Sequence, residues 1–122
     1  MSGGKRSEKV ADRVRAELME MLLRGEVKDP RVQGATVTHV HVTDDLQLAK
    51  VYVRSFAAGP SNQEQVVEAF QKAGGFIRRN LGARLKLKYT PVLRFYWDDG
   101  ADEAERIERV LQEVRAEEGW EP

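Results

Sequence analysis

The fold class this sequence predicts is α+β: a two-layer domain with a three-stranded sheet, helices on one face, and a further C-terminal helix. Three observations predict it. Two runs rich in β-branched residues, Thr36 to Thr43 and Leu48 to Phe56, flank the turn-prone pair Asp44-Asp45, as in a hairpin. A long helical stripe then leads to a third strand-like run, Val92 to Trp97. A strand, a helical crossover and another strand in one sheet favour parallel pairing of the second and third strands, with the crossover packed on one face.

The elements follow in order. Residues 1–9 read as a mobile basic arm, with Gly3-Gly4 followed by Lys5, Arg6 and Lys9. Ser7 is placed to cap a first helix that buries Val10, Val14, Leu18, Met21 and Leu22 at helical spacing. Gly25 is a stop just past that stripe. Lys28-Asp29-Pro30-Arg31 reads as a turn, because proline biases the preceding residue away from the helical region. In the second strand Ala49, Val51 and Val53 alternate with Lys50, Tyr52 and Arg54, giving a core face and a candidate contact face.

Gly59-Pro60 breaks the chain, and Ser61 with Glu64 has the spacing of a capping box. The stripe Val66, Phe70, Ala73, Ile77, Leu81 and Leu85 suits one continuous helix. Gly74-Gly75 argues for a break inside it, since two interior glycines cost about 2 kcal/mol relative to alanine. In the third strand Leu93, Phe95 and Trp97 share one face, Arg94 and Tyr96 the other. After Asp98-Asp99-Gly100, Ile107, Val110, Leu111 and Val114 predict an amphipathic helix docked on the domain. The expected organisation is thus a basic arm (1–9), a domain (10–100) and an acidic C-terminal helix and tail (101–122).

At 122 residues the chain can build one core without disulfides or metal, and it has no cysteine. No apolar run approaches the ~18 residues of a membrane span, and Met1 to Lys9 lacks the apolar stretch of a secretory signal. A cytoplasmic location is the expectation. The formal net charge is zero, with 20 Lys+Arg against 20 Asp+Glu, but the distribution is uneven. Residues 1–97 hold 17 Lys+Arg and 10 Asp+Glu, a balance of +7; residues 98–122 hold 3 and 10, a balance of −7.

The basic excess is concentrated. Between Ala69 and Trp97 there is no acid, yet Lys72, Arg78, Arg79, Arg84, Lys86, Lys88 and Arg94 all occur. One-sided charge of this kind marks a nucleic-acid surface. Arg31, Lys50, Arg54 and the arm residues Lys5, Arg6 and Lys9 are second-rank candidates for phosphate contact, and Tyr52, Tyr89 and Tyr96 are candidate base stackers. A bend at Ala73-Gly74-Gly75 would expose a new helix N-terminus, where glycine lets a phosphate approach. The alternative is that these glycines allow close helix–sheet packing.

Other chemistries find little support. His39 and His41 alternate onto one strand face, but no cysteine or third histidine completes a zinc site. Asp98, Asp99 and Asp102 lack the spacing and distal glutamate of an EF-hand. No nucleophile elbow, zincin motif, P-loop or dinucleotide fingerprint occurs. The expectation is a protein without catalytic activity, metal or cofactor.

Three separated motifs, in one colinear order over roughly residues 7–100, resemble ribosome-binding factor A. They are Val27-Lys28-Asp29-Pro30-Arg31-Val32, the hairpin Asp44 to Val53, and the segment Lys72 to Asp99. Within the last, Ala73-Gly74-Gly75-Phe76-Ile77-Arg78-Arg79 and Thr90-Pro91-Val92-Leu93-Arg94-Phe95 carry most of the similarity. The resemblance implies a type-II KH-like fold, with a helix-kink-helix in place of the usual glycine loop and Ala73-Gly74-Gly75 at the kink. It implies a non-enzymatic bacterial or organellar factor that binds the free small (30S) ribosomal subunit; a monomer is the expected state. It also implies a role in late 16S rRNA maturation and 5′-end processing, a link to growth in the cold, and release by a ribosome-associated GTPase. The alternative function is a general single-stranded RNA-binding or chaperone module. The acidic residues 101–122 depart from the matched pattern.

Overall fold

The computed structural model describes residues 2–55 and 62–117; side chains are described from residue 6 onward, except those of 101–106 and Glu117. The elements are α1 (Ser2–Leu23), a short 3-10 helix η1 (Pro30–Val32), β1 (Ala35–Val42), β2 (Leu48–Ser55), α2 (Gln63–Leu85), β3 (Val92–Trp97) and α3 (Ala101–Glu117). The sheet has the order β1-β2-β3, with β1 antiparallel to β2 and β2 parallel to β3. The α+β class and the parallel crossover are as the sequence predicts.

The two long helices cover one face of the sheet, α1 against β1 and α2 against β3. Both helical stripes reach the core: Val10, Val14, Leu18 and Met21 from α1, and Val66, Phe70, Ile77, Leu81 and Leu85 from α2, are buried. They meet Val37, Val40, Ala49, Val51, Val53 and Phe95 of the sheet. Phe70 and Phe95 stack at 5.2 Å between centroids, joining α2 to β3.

The helix α1 starts earlier than the sequence suggests. Residues 2–9, expected as a mobile arm, form its first turns, and Ser7 lies inside it rather than at its cap. Lys, Arg and Glu propagate a helix well once Val10 and Ala11 anchor it, so the charged run joins it. Ser7 is buried, and its hydroxyl donates to Asp44 Oδ1 at 3.4 Å. The other end is as expected. Gly25 has φ +68, its N–H donates to Leu22 O, and Glu26 N–H donates to Met21 O, the two bonds of a Schellman stop.

The Asp29-Pro30 turn tightens into η1, with Asp29 capping it. The Asp29 carboxylate accepts from Arg31 N at 2.9 Å and from the Arg31 guanidinium at 2.7–3.2 Å. These bonds, the guanidinium's first, hold the carboxyl at about 2, below the ordinary 3.8. The folded value is the depressed one, so this contribution is complete above 3.8 and is lost as the pH falls through about 2. Asp29→Asn should therefore lose less stability than the parent over that acidic interval, measured by denaturant titration at each pH.

At Gly74-Gly75 the structure corrects the expected break in the helix. The helix α2 runs unbroken from Gln63 to Leu85, so no second helix N-terminus is available there for a phosphate. Burial of the stripe on both sides, from Phe70 to Ile77, offsets the glycine cost. Neither glycine is needed for space: a Cβ at Gly74 would lie 3.8 Å from Phe95 Cε2, and one at Gly75 3.6 Å from Arg79 Nη1. Gly74→Ala with Gly75→Ala should raise stability by up to about 2 kcal/mol and leave RNA binding unchanged, measured by thermal melting and titration. Weaker binding in a better-folded variant would return a function to these glycines. The helix is capped at its start by Asn62, without a side-chain bond; Ser61 of the expected capping box lies outside the described residues.

The expected docking of α3 is also corrected. Ile107, Val110, Leu111 and Val114 are 42–56% exposed, and every described side chain from 107 to 116 is exposed. An apolar stripe at helical spacing gives a helix one face, but does not by itself supply a surface to cover it.

Candidate nucleic-acid interface

The acid-free block of the sequence does not remain acid-free once folded. Arg84 is half-buried and pairs with Glu17 of α1 at 3.6 Å and with Glu26 beyond its end. Lys72 pairs with Glu68 one turn back at 3.0 Å, and Arg31 is held by Asp29 with Glu68 at 4.0 Å. The Glu68 carboxyl is accordingly lowered, chiefly by its hydrogen bond from Lys72. These three cations, all expected as phosphate ligands, are partnered with carboxylates. Arg84 in particular ties α2 to α1.

Arg78 is exposed but mechanically engaged. Its Nε and Nη2 donate to the carbonyls of Thr90 and Pro91 at 2.8–3.3 Å, clamping the α2–β3 loop onto the helix. No carboxylate neutralises it among the described residues. The helix ends on Lys86, which adopts a left-handed conformation (φ 52, ψ 39) and turns Leu87, Lys88 and Tyr89 back over α2. Lys88 Nζ lies 5.5 Å from the Tyr89 ring centroid.

The glycine that does matter here is Gly82. A Cβ on it would come within 2.5 Å of Thr90 Oγ1, so the loop packs directly on the helix at that point. Sequence reasoning passed over Gly82 in favour of the adjacent pair, although an isolated glycine inside a helical stripe is the same signal. Over this contact lies a shallow cleft of about 480 Å3, open to solvent, walled by Arg78, Arg79, Leu87, Lys88 and Tyr89. It adjoins a second hollow of about 440 Å3 that shares Arg78, Lys88 and Tyr89 and reaches Gln47 and Val92. Among the described residues Arg79, Lys86 and Lys88 are exposed and have no carboxylate within 4.0 Å.

Of the remaining candidates, Lys5, Arg6 and Lys9 lie in the first turns of α1, and Lys50, Arg54 and Arg94 sit on the helix-free face of the sheet. Lys50 of β2 is in register with Arg94 of β3 and with His41 of β1. Two residues further along, Tyr52 is in register with Tyr96 and His39, and the three rings form a row with centroids 5.5 and 5.8 Å apart. A bulge between Val37 and His39 makes this possible. It lets Val37 and Val40, an odd number apart, both face the core, and returns His39 to the open face. The bulged Thr38 donates its hydroxyl to the Asp98 carboxylate, the main cause of that carboxyl's lowered value; Gly100 N–H, Arg54 and His39 add to it. Arg54 and Asp98 thus close the far end of the face. No three His, Cys, Asp or Glu side chains converge on a metal-binding arrangement among the described residues. No described helix is long and apolar enough to cross a membrane.

An arrangement of basic cleft, basic row and aromatic row has the chemistry to hold RNA phosphates and unpaired bases. The chain is also similar to known proteins. A sequence model described as ribosome-binding factor A matches residues 6–111. The protein of that name from Syntrophus aciditrophicus is 42% identical over 118 residues, spanning 97% of this chain and 94% of the relative. The crystal structure of ribosome-binding factor A from Thermus thermophilus superposes with a TM-score of 0.63 at 24% identity, over 74% of this chain and 93% of that one. A homology model of the Thermus thermophilus factor, fitted into a cryo-EM map of a 30S complex, superposes with a TM-score of 0.52 at 25% identity, over 70% and 92% of the two chains. With the family pattern matched from the second turn of α1 into α3, and α1, the hairpin, α2 and β3 in their places, this chain belongs to the ribosome-binding factor A family.

Proposed function

We propose that this protein is a small-subunit assembly factor that binds the free 30S subunit through its 16S rRNA and acts without catalytic activity. The observation that carries this reading is the family match over residues 6–111, joined to a relative of the same fold fitted into a 30S complex. The exposed cations Arg79, Lys86 and Lys88 supply phosphate contacts on one side of α2, and Lys50 and Arg94 supply them on the sheet. Binding holds the rRNA in an assembly-competent arrangement during late maturation and 5′-end processing, and a ribosome-associated GTPase drives release. The protein works as a cytoplasmic monomer, and its role in rRNA folding is greatest in the cold.

Sucrose-gradient co-sedimentation with free 30S subunits, 70S ribosomes and total RNA tests this reading. Co-migration with free 30S subunits, and little with 70S ribosomes, is the expected result. Equal association with all three would replace it with a general single-stranded RNA-binding module.

A further inference from the structure

We propose that the helix-free face of the sheet is a binding surface for unpaired RNA, in which Tyr52 and Tyr96 stack on bases while Lys50 and Arg94 hold the adjoining backbone. This deepens the RNA-binding reading above and rests on it. The geometry is laid out in rows. Successive same-face residues along a strand are about 6.7 Å apart, so the cationic row Lys50–Arg94 lies directly beside the aromatic row Tyr52–Tyr96. The two tyrosine rings are 5.5 Å apart between centroids and inclined by 30°, close to parallel. A base's own flat face stacks on exposed aromatic rings irrespective of sequence.

Exposure and charge agree with that use. Tyr96 and Arg94 are exposed and Tyr52 and Lys50 half-exposed, whereas the opposite faces of the same strands bury Ala49, Val51, Val53 and Phe95. Lys50 and Arg94 have no carboxylate within 4.0 Å among the described residues. Asp98 brings a carboxylate to this face at the end away from the cationic row, where Thr38 and Gly100 bind it. Arg54 lies near enough to lower that carboxyl and offsets its charge, so the row Lys50–Arg94 is the part of the face with two cations and, among the described residues, no carboxylate beside them. That row lies toward the end of the sheet where Val92 lines the hollow shared with Lys88, Tyr89 and Asp45. Duplex RNA cannot use the tyrosines, because its bases are already stacked within the helix.

The test compares a short oligoadenylate with an RNA duplex of the same length, both labelled, against the full chain. Tyr52→Leu with Tyr96→Leu keeps apolar, sheet-compatible side chains but removes the rings; Tyr52→Phe with Tyr96→Phe restores the rings without the hydroxyls. The leucine pair should weaken oligoadenylate binding by on the order of tenfold or more, leave duplex binding unchanged, and be rescued by the phenylalanine pair. Lys50→Gln with Arg94→Gln, a pair that leaves the rings in place, should reduce the salt dependence of oligoadenylate binding by about one to two units of slope. If the leucine pair lowers only the melting temperature and binds both RNAs like the parent, the row is cross-strand packing and the inference is overturned. If the glutamine pair leaves the salt slope unchanged, the assignment of Lys50 and Arg94 is overturned. Gradient co-sedimentation of the same variants with 30S subunits separates the two levels. Parent protein that fails to associate with 30S subunits removes the proposed function itself. Intact association with unchanged oligoadenylate binding removes only the stacking surface.

Discussion

Arg84→Glu should destabilise the fold by about 2 kcal/mol, with a fall in melting temperature of on the order of 10 °C. The substitution removes both ion pairs that join α2 to Glu17 and Glu26, and puts a third carboxylate between two that are themselves only 25–29% exposed. Truncating one partner of a fully buried pair costs about 3–5 kcal/mol, whereas an exposed pair costs less than about 1; a half-buried pair lies between them. Thermal melting monitored by circular dichroism measures the change. Arg84→Gln should show roughly half of it, and Arg84→Glu combined with Glu26→Arg should recover part of it. A melting temperature like the parent's in Arg84→Glu would mean that the pairing contributes nothing. This role differs from the one drawn from sequence alone, in which Arg84 is one cation of a nucleic-acid surface.

The converse is expected of the cations on the rim of the α2–β3 loop. Arg79→Glu, Lys86→Asn and Lys88→Glu together should abolish measurable association with 30S subunits, a loss on the order of a hundredfold or more, while the melting temperature moves little. All three side chains are exposed, and exposed substitutions usually change stability by less than about 0.5 kcal/mol each. Asparagine is chosen at Lys86 because the left-handed conformation there, φ 52, suits it better than a glutamate would. Arg78 is left in place because its bonds to Thr90 and Pro91 hold the loop. Gradient co-sedimentation at two salt concentrations is the measurement. Persistent binding at both would mean that this rim makes no phosphate contact.

Much of the architecture is legible in the sequence because it rests on periodicity. The stripe Val10, Val14, Leu18 and Met21, the stripe Val66 to Leu85, and the alternation Ala49, Val51, Val53 each require a core on one side. A right-handed crossover leaves few ways to place those cores together. The errors fall where periodicity carries no information. Ile107, Val110, Leu111 and Val114 have the spacing of a packed face, yet nothing local to α3 says whether a surface exists to receive it. Gly74-Gly75 lowers local helix propensity, and the burial of Phe70 and Ile77 on either side overrides it.

The candidate site divides along the same line. By itself the sequence determined that one chain segment is one-sidedly basic, that Lys50 and Tyr52 oppose a buried apolar face, and that the Asp29-Pro30 and Gly25 positions end or turn the chain. Those properties depend on residues a few positions apart. Only the tertiary structure decided which cations keep their charge available, because the acids that partner Arg84 come from Glu17 and Glu26, more than fifty residues away in the chain. It also decided the aromatic row. Tyr52, Tyr96 and His39 lie on three strands, and the bulge at Thr38 that aligns His39 with them breaks the alternation from which strand faces are read. Ion pairs and cross-strand rows act through space at a few ångströms, and the fold, not sequence distance, sets which groups come that close.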